Sequence, residues 1–372
     1  MQKCEMNNGK ESSENMSKKK RSKRSIWKNI IIVEIIILVL AGLSALYVLV
    51  LDKTPAFQFI GRMLSPVEGG KSILSRRSDT VKPYSLTSGE KYYKSLVAEG
   101  SINVLVMGCD AEGANYDTLL IMSIDEANNQ IKLINIPRDI YIDYSDDVLK
   151  KLKKAFPKYT SSKGIYKINA AHTIGKFIGY KKDAGRFKNP EYEFTADLVE
   201  EVFGIYIDDY VFLKPSSFRK VVDYFGGVDI DVPYHMKYSD PTQNFSVHLE
   251  KGSQHLNGEQ AEGFVRYRQG YDENGKFKGL GDIERKQNQV TFVKAFIKQH
   301  MTLGNIGKII SISGDLDKYL VSSIDNAKET AEYGKVAEKL YRNKFTTASE
   351  EIECKDEKIV EVYYLKIKTS GK

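Results

Sequence analysis

Between Ile102 and Pro137 the chain carries three short apolar runs, INVLVMG, TLLIMSID and IKLINIP, the last two separated only by EANNQ. Runs this short and this rich in branched residues suit strands buried on both faces, and EANNQ suits the turn between two of them. Strands buried on both faces need helices to cover them. Further along, helix-like and strand-like stretches alternate. Thr195 to Phe203 reads as a helix capped by Thr195, IYIDDYVFL as a strand, Ser216 to Tyr224 as a helix ended by Gly226 and Gly227, and VDIDVP as a strand. GEQAEGFVRYR reads as a helix, and IERKQNQVTFVKAFIKQH as an amphipathic one with Ile283, Val290, Val293 and Ile297 on one side. The mixture predicts an α/β fold: a three-layer α/β/α domain with a central mixed sheet.

Outside that region the texture changes. Ile30 to Leu51 is apolar except for Glu34 and Ser44; at about 1.5 Å per residue it crosses a bilayer core of roughly 30 Å. The preceding segment, residues 1–28, holds nine Lys/Arg against three acids, a net of +6 in a chain whose total is +7. By the positive-inside rule this places 1–28 as a basic cytoplasmic tail and 29–51 as one uncleaved transmembrane signal anchor. The expected localisation is therefore the cell membrane, single-pass, with the remainder of the chain extracytoplasmic. Residues 52–100 read as a polar spacer with a short helix around Ser88 to Val97, residues 101–302 as the catalytic domain, and 303–372 as a helical segment with a last strand, IVEVYYLKIK. Once the tail is set aside the chain is nearly neutral, which argues against a nucleic-acid partner.

Several charged residues stand at the ends of the predicted strands, where open α/β sheets place ligand sites. Asp110 follows INVLVMGC, Asp117 precedes TLLIMSID, and Arg138 with Asp139 follows IKLINIP. Asp110 and Asp117 can share one hard cation such as Mg2+ through oxygen ligands, although such pairs also occur in loops that bind nothing. A second group is Arg266 and Arg268 in FVRYRQ, with Arg285 and Gln289 four residues apart on one helix face. Guanidinium groups match phosphate oxygens in bidentate fashion. Spacing alone equally allows them to pair at the surface with Glu262 and Glu284.

Other chemistries find little support. The sequence has no G-x-S-x-G, H-E-x-x-H, P-loop or G-x-G-x-x-G. His172, His235, His248, His255 and His300 show no metal-ligand spacing, and ordinary packing or surface roles are expected of all five. Three cysteines are too scattered for a disulfide framework; Cys109 and Cys354 are read as buried thiols, with pairing left open if both lie outside the cell.

The strings INVLVMGCD, YDTLLIMSID, IKLINIPRDIYID, KINAAHTIG, VDYFGGVDIDVP, GFVRYRQGYDENGKF and IERKQNQVTFVKAF, in that order and spacing, resemble the LytR-CpsA-Psr family of cell-wall ligases over roughly Ser101 to His300. The resemblance implies a phosphotransferase. Its donor would be a polyprenyl-pyrophosphate-linked glycopolymer such as a teichoic acid or capsular polysaccharide, its acceptor a peptidoglycan hydroxyl, and Mg2+ or Mn2+ its cofactor. By motif position it implies metal binding by Asp110 and Asp117, pyrophosphate binding by Arg138, Arg266, Arg268, Arg285 and Gln289, and catalytic roles for Arg138, Arg266, Arg268 and Asp110. Two positions depart from the family pattern: Asn115 and Asn288 stand where arginine is frequent. Asp139 and Asp110 are the two carboxylates considered as the general base. The same site also admits two alternatives, a pyrophosphatase with water as acceptor and a non-catalytic wall or lipid binder with a regulatory role.

Overall fold

The three apolar runs become three neighbouring antiparallel strands. The computed structural model describes residues 73–77, 82–109, 116–159, 163–243, 245–279, 282–305, 320–324, 327–359 and 361–369. In it, β1 (Ile102–Cys109), β2 (Tyr116–Asp125) and β3 (Gln130–Asn135) pair in sequence, with Leu105 opposite Ile121 and Ile121 opposite Ile134. The turn after β2 closes because the Asp125 carboxylate accepts the backbone N–H groups of Ala127 and Asn128, each at 3.0 Å, while Asn129 takes the left-handed conformation (φ 51°) that asparagine tolerates.

Three helices then cover one face: α1 (Asp146–Ala155), α2 (Ala171–Ile178) and α3 (Pro190–Phe203). Ser145 caps α1 by accepting the Val148 N–H. Asn189 caps α3 and Pro190 supplies its first turn, so the helix begins five residues before Thr195. Thr195, expected to be a cap, is buried within α3 and donates to the Glu191 carbonyl. From this face of the sheet Leu105, Met107, Leu119, Ile121 and Ile134 meet Val148, Leu152, Ile174, Phe194 and Leu198 in one core. The strand β4 (Asp209–Leu213) follows and pairs parallel with β1.

A smaller module comes next: α4 (Pro215–Phe225), β5 (Val228–Val232), β6 (Met236–Asp240), β7 (Phe245–Leu249), β8 (Gly252–Leu256), α5 (Gly258–Arg266), β9 (Gln269–Tyr271) and β10 (Phe277–Gly279). β6, β7, β9 and β10 form one sheet and β5 with β8 a ribbon, over a separate core of Val228, Val232, Met236, Leu249, Phe264 and Phe292. The long helix α6 (Asp282–His300) joins the two parts, giving Phe292 to this core and Val290, Val293 and Ile297 to the second face of the main sheet. That face, with Leu120, Ile124, Ile131 and Leu133, is shared with Tyr333, Val336 and Leu340 of α7 (Ala327–Arg342).

The boundary expected at 302 does not divide the packing. β11 (Leu320–Ser322) pairs antiparallel with β4 and β12 (Thr346–Glu351) pairs parallel with β3, so residues beyond 302 supply both edges of a mixed six-stranded sheet, ordered β11-β4-β1-β2-β3-β12. β13 (Cys354–Ile359) and β14 (Val362–Ile367) close the chain as a hairpin. The helix expected over Ser88 to Val97 is also absent. Gly89, with φ at +98°, interrupts it. The segment runs irregularly instead, with bends at Ser88, Gly89, Tyr93, Lys94 and Val97; Thr87 bridges Tyr144, Tyr92 bridges Thr369, and Leu86, Tyr92 and Leu96 are buried. Cys109 and Cys354 do not form a disulfide, and burial pushes the Cys354 thiol up to about 11. The predicted tail and anchor, with residues 52–72 of the spacer, lie outside the described residues. No helix among the described residues is long and apolar enough to cross a membrane.

Candidate active site

β1, β3 and β4 end, and the antiparallel β2 begins, at one edge of the main sheet. The smaller module stands over that edge and leaves a cavity of about 530 Å³, within the range of small-molecule sites. Asp117, Arg138, Arg266, Arg268, Arg285 and Gln289, drawn from four separate stretches of sequence, all line it. Asp110 and Asn115 lie outside the described residues.

Each side chain is placed by its element. Arg138 follows β3 two residues after the buried Ile136, and its guanidinium binds the Asp117 carboxylate at the start of β2 and lies 3.6 Å from Asp139. Asp139 in turn accepts from Lys167 at 2.6 Å. The result is a chain of alternating charge, Asp117, Arg138, Asp139, Lys167, along one wall. On the facing wall α5 ends at Arg266 and Tyr267 turns extended. Tyr267 is buried against the small core, and it lines the cavity together with its neighbours Arg266 and Arg268.

Arg266 does pair with Glu262, one turn back on α5, as its spacing allowed, but the pairing does not remove it from the cavity. Glu262 is buried and also binds Arg219 at 3.3 Å, while the Arg266 guanidinium lies 4.3 Å from the Phe245 ring centroid. The arginine is thus held by both an acid and an aromatic ring. On α6, Arg285 is buried and Gln289 donates to the Thr118 hydroxyl at 3.1 Å, tying the helix to β2. Asn288 points elsewhere: it is buried and donates to the Tyr234 hydroxyl at 3.2 Å. An arginine at 288 is thus not missing from this cavity wall.

The lining as described has six cationic side chains, Arg138, Lys167, Lys214, Arg266, Arg268 and Arg285, against the four carboxylates of Asp117, Asp139, Asp240 and Glu262. The excess of positive charge suits an anion with several oxygens. Apolar groups complete the cavity: Val106, Leu120, Leu213, Phe218, Val265, Phe292 and Val293. Lys167, Asn169, Lys214, Tyr238, Asp240 and Gln269 were not singled out from the sequence. Lys167 and Asn169 sit inside the KINAAHTIG string, and that motif was the signal that marked them; the others carry no local mark.

This fold and this edge-of-sheet site define a family: the LytR_cpsA_psr family model matches residues 72–371, and the chain belongs to that family. Among its curated relatives, the polyisoprenyl-teichoic acid–peptidoglycan teichoic acid transferase TagV of Bacillus subtilis is 30% identical over 217 residues, 57% of this chain and 46% of that protein. The regulatory protein MsrR of Staphylococcus aureus is 27% identical over 236 residues, 62% of this chain and 58% of the relative. The chain thus spans about half the length of the curated relatives it matches. The crystal structure of B. subtilis TagV shares the fold, with a TM-score of 0.52 at 24% identity, covering 73% of this chain and 92% of that one.

Proposed function

We propose that this chain is a phosphotransferase that moves a phosphoglycan from a polyprenyl-pyrophosphate donor to a peptidoglycan hydroxyl. The observation that carries the reading is the single cavity in which cations from β3, α5 and α6 meet beside an apolar wall. A lipid-linked diphosphate has that same division, two phosphates joined to a hydrocarbon chain, and TagV, 30% identical, is named for a reaction of this kind.

In this reading the acceptor hydroxyl oxygen forms a bond to the glycan-bearing phosphorus, and its proton passes to the departing polyprenyl phosphate or to solvent. The bond from that phosphorus to the bridging oxygen breaks, and polyprenyl phosphate departs with the electron pair. Phosphoryl transfer of this kind needs positioning and charge neutralisation more than covalent help. Arg138 and Lys167 on one wall, and Arg266, Arg268 and Arg285 on the other, hold the two phosphates. The Val106, Leu120 and Phe292 side takes the first isoprene units. Asp139, already engaged by Lys167 and Arg138, positions those cations and is poorly placed to act as base. Asp117 offers a hard carboxylate oxygen on the cavity wall, which suits Mg2+ or Mn2+ with Asp110 as second ligand. When bound, such an ion adds charge neutralisation at the diphosphate.

The N-terminal anchor belongs to the same proposal. It would hold the site outside the cell within reach of a donor whose lipid is in the bilayer.

The test is direct. Full-length protein in detergent, given lipid-linked donor, acceptor glycan and Mg2+, should yield a phosphodiester-linked product, and Arg138→Ala and Arg266→Ala should each slow its formation by about 100- to 1000-fold. Full activity in those variants would remove this site from the reaction. Release of polyprenyl phosphate without ligated product would make water the acceptor, and donor binding without turnover would make the chain a binding protein.

A further inference from the structure

On the small module, away from the cavity lining, two histidines and a glutamate converge. His235 immediately precedes β6, His248 lies in β7 and Glu250 follows it. The antiparallel register pairs Met236 with Leu249, so the next pair outward is His235 opposite Glu250. Alternation along the strand puts His248 on the face of Glu250. The hairpin therefore assembles three potential ligands that a linear spacing rule misses.

The geometry is tight. His235 Nδ1 lies 2.9 Å from one Glu250 oxygen and His248 Nε2 3.2 Å from the other, and the three ligand atoms all fall within 4.8 Å of one another. Tetrahedral zinc with ligands at about 2.0–2.2 Å places them roughly 3.3–3.5 Å apart. The two imidazoles touch different Glu250 oxygens, and with one ligand atom from each residue the set already lies within 4.8 Å, so side-chain adjustment brings all three to a common ion. The imidazole rings stand at 78° with centroids 5.6 Å apart, converging on the carboxylate from two directions. His235 is 13% exposed, whereas His248 and Glu250 are about two-thirds open, at 65% and 69%, so an ion can enter and a water can complete its shell. Lys237, paired in register with His248, is exposed, and its long stem carries the ammonium into solvent.

We infer that His235, His248 and Glu250 form a binding site for a zinc-like divalent cation, separate from any ion at Asp117. Imidazole with one carboxylate favours zinc over magnesium, which prefers oxygen alone. The site clips the open end of the β6–β7 hairpin. Its effect would reach the cavity because Tyr238, Asp240 and Phe245 of that hairpin line it and Phe245 lies against Arg266. A one-residue slip in this pairing would turn those side chains to the other face; a bound ion opposes the slip.

The test uses full-length, tag-free protein, stripped with chelator and titrated with ZnCl2, with Co2+ as a spectroscopic substitute. One zinc per chain, visible Co2+ bands of low-coordinate intensity and a raised Tm are expected. His235→Ala and His248→Ala, one largely exposed and both outside the cores, should each lose all three signals, and Asp117→Asn should keep them. No zinc uptake by the parent chain, or undiminished uptake in both histidine variants, would overturn the site. So would uptake that disappears with Asp117→Asn alone.

Discussion

Two clusters of ion pairs in this molecule use the same chemistry to opposite ends. One lies where the loop after α2 meets α3: Lys181 and Arg186 bind Glu193, Asp197 and Glu200. Its acids Glu193 and Asp197 are 0% exposed and its cations 9–10%. The other is the cavity cluster, where Arg138, Lys167 and Arg266 bind Asp117, Asp139 and Glu262 with the cations about a quarter exposed. The buried cluster has more acids than cations. The cavity has more cations than acids, next to apolar space. Pairing by itself therefore does not separate a structural arginine from a ligand-binding one; the sign of the surplus and the access to it do.

The sharpest way to break that contrast is to remove one acid from the buried cluster. Asp197 accepts from the Tyr180 hydroxyl at 2.9 Å, from Lys181 at 2.7 Å and from Arg186. Burial would lower Arg186, but Asp197 and Glu193 outweigh it and hold the guanidinium above its usual value. Asp197→Ala should cost about 3–5 kcal/mol, because it strands buried cations, and denaturant unfolding will measure it. The loop is tight as well: Gly185 has φ at +82°, and a Cβ there would meet the Glu193 carboxylate at 2.6 Å. An Asp197→Ala variant as stable as the parent would show that this network is not what orders the loop.

Arg266→Ala should reverse the pattern. Glu262 keeps Arg219 as a partner, so stability should fall less than in Asp197→Ala, whereas transfer activity should fall by about 100- to 1000-fold, or about 2.7–4 kcal/mol in the barrier. The comparison of the two variants by unfolding and by rate is the check. A third change tests positioning. Glu262→Gln leaves Arg266 in place but weakens a charge-assisted hydrogen bond worth about 1.5–3 kcal/mol. The donor KM should rise with a smaller fall in kcat, read from steady-state kinetics across donor concentrations. Unchanged kinetics would mean that the Glu262 charge does not set the orientation of Arg266.

The parts of this design that were legible in sequence share one property: their signal is local. β1, β2 and β3 show as apolar runs because they are covered on both faces, and α6 shows because its apolar stripe repeats along one helix. The residues Asp117, Arg138, Arg266, Arg268, Arg285 and Gln289 were named from strand ends and motif strings, and the fold brings all of them to one cavity. What stayed hidden depends on partners far along the chain. β12 reads TTASEE, a polar string that becomes a strand only because β3 lies beside it. Residues 88–97 look helical in isolation but run irregularly, held by the bridges of Thr87 to Tyr144 and of Tyr92 to Thr369. His235 and His248 become neighbours only through the β6–β7 hairpin.

The smallest expected effect concerns a third kind of acid, on the same helix as Asp197. Glu201 of α3 accepts the backbone N–H of Leu86 at 3.0 Å and of Thr87 at 2.8 Å, with the Ser85 and Thr87 hydroxyls each at 2.8 Å. It anchors the start of the irregular segment that replaces the expected helix. Burial pushes its carboxyl up, but the hydrogen bonds from Leu86, Thr87 and Ser85 outweigh burial and hold it below the ordinary glutamate value. A depressed folded-state value means the stabilisation is complete above the unfolded glutamate pKa of about 4.3, and is lost as pH falls from there through the folded value. Glu201→Gln should cost about 1 kcal/mol at neutral pH and flatten the acid limb of stability against pH, measured by Tm from pH 7 down to about 3. Because hydroxyls, backbone amides and the part-exposed Lys82 at 3.7 Å face this carboxylate, and no fully buried cation depends on it, its loss should be several-fold milder than that of Asp197. An equal loss in the two variants would mean that α3 responds to the removal of either acid as one unit, and exposure would then no longer distinguish the clusters.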